Sequence, residues 1–170
     1  MRSVWTIGLV AWTLLSIAGQ ELEDLTPDAL TEATGYSPRT GELVALVDGL
    51  YPDHAENPDA FSWLMGGILT FTFEQTVRVH EVRLYVGAYA GRYVLTAQSV
   101  ETDTVVSVAD SSGQENRWVS LRLPEPCATR YLRLSTQGKT ALYEIQIWGQ
   151  EAVYPISWGM LKVRFERDLL

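Results

Sequence analysis

Hydrophobic and polar residues alternate along most of the chain between residues 42 and 149. In Ile68–Phe73, the residues Leu69, Phe71 and Phe73 fall on one side of the pattern and threonines fall on the other. A period of two is typical of a β-strand that buries one face and exposes the other. The pattern predicts eight strands, which are Glu42–Val47, Ile68–Phe73, Val77–Val86, Tyr93–Ser99, Thr104–Val108, Trp118–Leu123, Tyr131–Ser135 and Leu142–Trp148.

The apolar segment Val77–Val86 changes the phase of its alternation midway. Val82 and Val86 share one phase, whereas Val79 has the opposite phase, so the change falls near His80. A phase change inside a strand predicts either a β-bulge or a strand that is shared between two sheets.

Short breaks rich in Gly, Ser, Asp or Pro separate these predicted strands, and no helical periodicity occurs among them. Many short strands with frequent turn signals favour an all-β fold, either a β-sandwich or a barrel. A length of 170 residues suits one domain with extensions.

Residues 1–19 have the residue order of a secretory signal peptide. Arg2 precedes the mainly apolar run Val4–Ala18, and small residues around Ala18 suit cleavage near Ala18 or Gly19. The run has only about 15 residues, whereas a membrane-spanning helix needs about 20. We therefore expect an exported protein that is secreted, periplasmic or at the cell surface, with no integral membrane span after cleavage. The predicted organisation is a signal peptide (1–19), an extended lead-in that includes the start of the domain (20–42), a β-sandwich (25–149) and an amphipathic C-terminal tail (150–170).

The chain is acidic. Its net charge is −8, and it becomes −9 without residues 1–19, because that segment holds one basic residue and no acidic one. Nucleic acids require clustered Lys and Arg, so we expect no nucleic-acid partner. Cys127 is the only cysteine, which excludes an internal disulfide bond. It is expected to act as a small buried hydrophobe.

Four sequence blocks carry a resemblance to a known family. They are "ALVDG" from residue 45, "VHEVRLYVGAYAGRYVLTAQS" from residue 79, "RWVSLRLPEPCATRYLRLS" from residue 117 and "ALYEIQIWG" from residue 141. Their order and spacing resemble the discoidin domain, also called the coagulation factor V/VIII type C domain. The resemblance covers Leu25 to Gly149 and implies an eight-stranded, galactose-binding-like jelly-roll β-sandwich. Bacterial carbohydrate-binding modules share that fold.

The resemblance also implies a structural calcium ion. Asp48 matches the family's early Asp-Gly loop, and Glu144 matches its glutamate in the final strand. Asp53 stands where the family has a threonine, and Leu50 stands where the family has an asparagine that can serve through its carbonyl. Calcium prefers carboxylate and carbonyl oxygens, which these positions can supply. The alternative is an Asx turn at Asp48 and a solvated carboxylate at Glu144.

A ligand site is expected on loops at one end of the sandwich. The loops are 51–63, 87–92 and 111–117. Sugar C–H faces stack on aromatic rings while polar neighbours fix the hydroxyl groups. The candidate ligand-binding residues are Tyr89, Arg92, Trp63, His54 and Asn57. Two alternatives stay open at this stage, because Trp63 could fill the sandwich interior and Arg92 could cover a sheet edge.

No catalytic motif is found in the sequence. His54 and His80 lie in neither a metalloprotease spacing nor a triad context, and no nucleophile elbow or phosphate-cradling loop occurs. We therefore expect an exported, non-catalytic module that binds a glycan or another extracellular ligand. The alternative is a structural or adhesion protein that uses the sandwich as a scaffold and its tail as the contact.

The tail, residues 150–170, departs from the β pattern. Ser157 is suited to cap a helix that begins at Trp158, and Trp158, Leu161 and Phe165 recur at helical spacing. A helix this short is marginally stable alone. It is expected either to dock on the sandwich or to bind a protein partner.

Overall fold

The computed structural model describes residues 21–35, 38–99, 105–112 and 114–152. The predicted signal peptide and the predicted tail helix with Trp158, Leu161 and Phe165 lie outside the described residues.

Nine β-strands and two short 3-10 helices make up the described chain. The strands are β1 (Glu23–Asp24), β2 (Ala29–Thr34), β3 (Arg39–Thr40), β4 (Phe61–Trp63), β5 (Ile68–Val86), β6 (Arg92–Ser99), β7 (Val105–Ser112), β8 (Arg117–Gln137) and β9 (Thr140–Glu151). The 3-10 helices are Thr26–Asp28 and Leu43–Leu46.

The strands β5 and β8 are long enough to belong to two sheets. The first sheet has the order β2-β5-β8-β6-β7 and uses the N-terminal part of β5 and the C-terminal part of β8. The second has the order β3-β4-β9-β5-β8 and uses the other halves of the same two strands. β1 pairs with the C-terminal part of β9, and every pairing is antiparallel. The two sheets form a β-sandwich, which confirms the predicted fold class.

The passage from one sheet to the other occurs through breaks in the β5–β8 ladder. The register shifts between Thr72 and Val77 and again between Val79 and Glu81. The predicted bulge near His80 is confirmed by the register shift between Val79 and Glu81. β5 is also shared between the two sheets, but it changes sheet earlier, at the break between Thr72 and Val77. In the described chain, residues 123–126 of β8 have no partner in β5, so the prolines at 124 and 126 remove no ladder hydrogen bond.

The core lies between the two sheets and is built from the inward residues of the long strands. Its fully buried members include Phe61, Leu69, Phe71, Val82, Leu84, Tyr93, Leu95, Leu121, Leu132, Leu134, Ile145 and Ile147. Cys127 is buried at the edge of this core, as expected. Burial of this apolar set is the main favourable term for folding, since the chain has no disulfide.

Three sequence predictions differ from the observed elements. Glu42–Val47 is not a strand but contains the 3-10 helix Leu43–Leu46, because Ala45 and Leu46 are neighbours and both are buried. A strand would direct them to opposite faces. The lead-in contains the strand β2, which the sequence pattern did not reveal. Four predicted strands are continuous in pairs, as halves of β5 and of β8.

Within the described chain, no helix is long and apolar enough to cross a membrane.

Candidate functional site

Three loops meet at one end of the sandwich. The Tyr85 hydroxyl donates a hydrogen bond to Asp53 Oδ2 at 3.3 Å and lies 3.5 Å from the carbonyl oxygen of Asn116. The backbone N–H of Asn116 donates to the Gly87 carbonyl at 3.2 Å. These contacts connect the loop before β4, the loop after β5 and the loop before β8. We call this region the loop end.

An aromatic cluster packs beside the loop end. The Tyr51 ring centroid lies 5.0 Å from that of Tyr85 and 5.1 Å from that of Trp118. Tyr85 also contacts Trp118 at 5.4 Å and Tyr143 at 6.1 Å, both edge to face. Tilted and edge-to-face ring pairs each stabilise a fold by roughly 0.5–1.5 kcal/mol beyond the effect of burying the rings. The cluster therefore holds the Tyr51 loop against the strands β5, β8 and β9.

Four of the predicted ligand-binding residues are at least partly exposed, and three of them, Tyr89, His54 and Arg92, lie at the loop end. Tyr89 is 37% exposed, and Lys139 Nζ lies 3.7 Å from its ring centroid. The His54 Nε2 atom is 2.9 Å from the Tyr51 hydroxyl, and their rings stack at 4.2 Å. Arg92 begins β6, and Asn57 lies in the loop before β4; both are exposed.

Trp63 does not belong to this exposed set. It lies in β4, is only 2% exposed and packs edge to face against Phe61 at 4.9 Å. Its ring also fills the space beside Gly67, where a Cβ atom would lie 2.5 Å from Trp63 Cε2. The prediction that Trp63 contacts ligand is therefore wrong, and the alternative of a residue that fills the interior is confirmed.

Gly49 connects two of the three predicted calcium ligands, Asp48 and Glu144. The backbone N–H of Gly49 donates to Glu144 Oε2 at 2.9 Å, which joins the Asp48 loop to the final strand β9. Asp48 Oδ1 accepts from the Leu50 N–H at 2.9 Å, which is the Asx turn expected for an Asp-Gly sequence.

Asp53 is placed elsewhere, which corrects the prediction for this residue. Its carboxylate accepts from the Tyr85 hydroxyl and belongs to the aromatic cluster. Among the described residues, no group of three His, Cys, Asp or Glu side chains is close enough to hold a metal ion. Any ion at Asp48 and Glu144 would therefore need backbone carbonyls to complete its ligand set.

Glu144 is nevertheless an unusual carboxylate. It is only 4% exposed, and its pKa is raised to about 7, chiefly by burial. The Gly49 N–H lowers the pKa and the negative charges of Asp48 and Asp24 raise it, and the value of about 7 includes all of these effects. A cation beside Glu144 would offset both its burial and the repulsion from the two aspartates. The chemistry of this donor set therefore fits a hard, oxygen-seeking cation.

An open cavity of about 390 Å³ lies next to the aromatic cluster, on the outer face of β9-β5-β8. It is lined by Tyr51, Trp118, Arg83, Val119, Ser120 and Gln146. Four of these residues, Arg83, Trp118, Ser120 and Gln146, lie on strands and are not among the predicted site residues. Alternation marks these four only as outward-facing, and their proximity depends on strand order and register.

No protein-family model matches the sequence, and no curated protein matches it. Solved structures do match, and they include family 32 carbohydrate-binding modules, which are discoidin-like β-sandwiches. The Clostridium perfringens module CpGH89CBM32-6 has a TM-score of 0.53 and 16% identity, over 75% of this chain and 99% of that one. The Paenibacillus sp. IK-5 chitosan-binding module 1 has a TM-score of 0.56 and 14% identity, over 75% and 99%. A Streptococcus pneumoniae fucose-binding module has a TM-score of 0.56 and 13% identity, over 74% and 94%. The protein has the fold of these modules, which confirms the fold that the discoidin resemblance implied.

Proposed function

We propose that the protein is an exported, non-catalytic module that binds carbohydrate at the loop end. The observation that carries this proposal is the partly exposed Tyr89 ring in the loop between β5 and β6, at the loop end. The named ligands of similar modules, chitosan and fucose, support a saccharide as the ligand class.

The geometry at Tyr89 indicates how a sugar would bind. Lys139 lies over one face of the ring at 3.7 Å, so the opposite face is the one offered to a pyranose. The ammonium group also holds the ring in place through a cation–π interaction. Arg92, His54 and Asn57 then supply donors and acceptors for the sugar hydroxyls. None of these roles requires a nucleophile or an acid–base pair.

A glycan array tests this proposal. We expect the full chain to bind a subset of saccharides, and Tyr89→Ala to lose at least ten times in affinity for them. Tyr131→Ala is the matched control, because Tyr131 is 45% exposed on β8, where it pairs with Thr72 and Gln98 rather than with loop-end residues. An absence of saccharide binding by the intact chain, or equal losses in both variants, would refute the proposal.

We also propose that Asp48 and Glu144 hold a calcium ion with a structural role. The ion would join the Asp48 loop to β9, where the Gly49–Glu144 hydrogen bond already connects them. A cation bound only by the folded state adds about 2.7 kcal/mol at a hundredfold excess over its Kd.

Thermal unfolding with calcium and with chelator tests the ion. We expect calcium to raise the Tm of the full chain and Glu144→Gln to remove that response. Asp53→Asn is the control and should keep the response, since Asp53 bonds to Tyr85 instead. A Tm that is the same in calcium and in chelator would contradict the calcium proposal and would leave the saccharide proposal standing.

Export through residues 1–19 is also part of the proposal. Expression of the full chain in a bacterium should yield a shortened product outside the cytoplasm, with its N-terminus near residue 19 or 20 when measured by mass spectrometry. Retention of residues 1–19 in the recovered protein would contradict export by cleavage.

A further inference from the structure

The cavity on the outer face of β9-β5-β8 combines one cation, polar groups and aromatic rings. In the strand register, Arg83 lies directly between Ser120 of β8 and Gln146 of β9. The neighbouring pair, Tyr85 and Trp118, brings an indole to the upper edge of the cavity. Its volume of about 390 Å³ is within the range of small-ligand sites.

From this arrangement we propose a second saccharide site that takes an acidic sugar residue, with its carboxylate on Arg83 and its ring against Trp118. This site goes beyond the loop-end proposal and does not depend on it, because Tyr89, Arg92, His54 and Asn57 are not among the residues that line the cavity.

The charge balance around Arg83 favours an anion. Glu81 accepts from Arg83 Nε at 2.9 Å and from Arg122 Nη2 at 3.1 Å, so two guanidinium groups share one carboxylate. Of the described residues that line the cavity, Arg83 alone carries a charge. The three side chains Glu81, Arg83 and Arg122 together carry one net positive charge, although the whole chain is acidic, and Arg83 is the one of the three that lines the cavity.

Arg83 is also held in position before any ligand arrives. Glu81 engages its Nε atom, and its guanidinium carbon lies 5.0 Å from the Trp148 ring centroid. The terminal nitrogens are then the donors that Glu81 does not use. A guanidinium fork matches the two oxygens of a carboxylate, and fixing it beforehand lowers the entropic cost of binding.

The remaining wall of the cavity suits a sugar ring. Trp118 is half-buried and is held by edge-to-face contacts with Tyr51 and Tyr85. Gln146 accepts from Trp148 Nε1 at 3.2 Å through its side-chain oxygen, so its amide nitrogen is the group that a sugar hydroxyl can use. Ser120 donates to Glu81 at 2.7 Å and keeps acceptor capacity on its oxygen.

Calorimetric titration of the full chain with trigalacturonate tests this site, with neutral galactotriose as the comparison ligand. We expect trigalacturonate to bind in the cavity on the outer face of β9-β5-β8. The affinity of galactotriose for the same cavity should be at least ten times lower. Arg83→Gln should lose at least ten times in trigalacturonate affinity. Arg122→Gln is the matched control, because Arg122 pairs with the same Glu81 but is 76% exposed and does not line the cavity. Its affinity should stay within a factor of two.

Two further variants keep the result interpretable. Gln146→Ala should weaken trigalacturonate binding about fivefold in a chain that still unfolds at the wild-type temperature, which covers the case in which Arg83→Gln fails to fold. Tyr131→Ala, at an exposed ring that lies in neither proposed site, should leave trigalacturonate affinity unchanged. The proposal is overturned by the absence of trigalacturonate binding, by equal losses in the two arginine variants, or by an affinity that falls in Tyr89→Ala but not in Arg83→Gln, which would place the acidic sugar at the loop end.

Discussion

Glu81 is a buried carboxylate that its neighbours keep charged. Burial alone would raise its pKa, but hydrogen bonds from Arg83, Ser120 and Arg122 outweigh burial and lower the pKa from 4.5 to about 2. The group therefore stabilises the fold in its ionised form. The hydrogen bond from Arg83 to Glu81 also sets the orientation of Arg83. Glu81 therefore contributes both to the stability of the fold and to the geometry of the proposed acidic-sugar site.

The lowered pKa of Glu81 makes stability depend on pH in a defined window. Because the folded-state pKa lies below the unfolded value, the contribution is complete above about pH 5 and is lost as the pH falls towards 2. A pKa shift of this size corresponds to a contribution on the order of 3 kcal/mol to the free energy of unfolding. We expect Glu81→Gln to lower the Tm at pH 7 by several degrees and to flatten the dependence of Tm on pH between 2 and 5. Thermal unfolding across that range measures both, and an unchanged acid profile in the variant would contradict this assignment.

Trp63 and Tyr89 are aromatic residues near loops, yet burial gives them opposite roles. We expect Trp63→Ala to reduce the free energy of unfolding by about 3–5 kcal/mol, since it removes a fully buried ring and leaves a cavity. Tyr89→Ala should change the same quantity by less than about 0.5 kcal/mol, because its ring is partly exposed. Denaturant unfolding of both variants gives the comparison. A destabilisation by Tyr89→Ala as large as that by Trp63→Ala would remove Tyr89 as a binding residue.

At the scale of elements, the turn from β4 to β5 is fastened to the end of β8. The Gly67 N–H donates to Thr136 Oγ1 at 2.9 Å, and the Thr136 N–H donates to the Gly67 carbonyl at 2.8 Å. Gly66 has a φ of 90°, and a Cβ atom there would overlap the Thr136 carbonyl oxygen. This turn therefore depends on glycine for both its conformation and its close approach to β8.

The dependence on Gly66 can be separated from simple backbone strain. Gly138 has a similar φ of 78°, but a Cβ atom added there would meet no atom of another segment within 4 Å. Gly138→Ala therefore costs only the left-handed conformation, about 1–2 kcal/mol. We expect Gly66→Ala to destabilise the fold by about 2–4 kcal/mol, since it adds the overlap with Thr136. Equal losses in the two variants, measured by denaturant unfolding, would show that the contact with β8 contributes nothing.

Much of this element pattern could be predicted from the sequence, and the exceptions have physical causes. Period-two alternation located β6 and β9 and the halves of β5 and β8, and the phase change near His80 located the bulge. β2 was missed because its inward residues, such as Ala29 and Ala33, are too small to mark a hydrophobic face. Glu42–Val47 was predicted as a strand because a short apolar run does not distinguish a buried strand from a buried 3-10 helix.

The sequence predicted only those residues of the candidate site that can be recognised one at a time, as aromatic or polar residues on loops. Tyr89, His54 and Asn57 could be selected as aromatic or polar residues on loops. The roles of Lys139 over Tyr89, of Asp53 with Tyr85, and of Arg83 beside Gln146 depend on strand order and register. Alternation along one strand does not specify its neighbours, so these contacts required the folded structure.

At the scale of the whole molecule, the tail beyond residue 152 has two alternative roles, and a truncation separates them. The chain ending at Ala152 keeps all of β9 and the hydrogen bond from the Ala152 N–H to the Thr76 carbonyl. It should unfold at a lower temperature than the full chain if residues 153–170 dock on the sandwich. If the tail instead binds a protein partner, the Tm stays the same and association is lost. Thermal unfolding together with a pull-down by the full and truncated chains distinguishes the two. A truncation that changes neither quantity would contradict both roles.

The central claim is that the loop end binds carbohydrate, and backbone NMR of the chain during a saccharide titration tests it most directly. The titrants would be galactose- and fucose-terminated oligosaccharides and chitosan oligomers. We predict saturable shifts concentrated in residues 51–58, 87–92, 114–116 and 138–139, and their loss in Tyr89→Ala. The contrary result would be no saturable shift with any of these saccharides, or shifts confined to the opposite end of the sandwich around Asp28, Glu74 and Glu151.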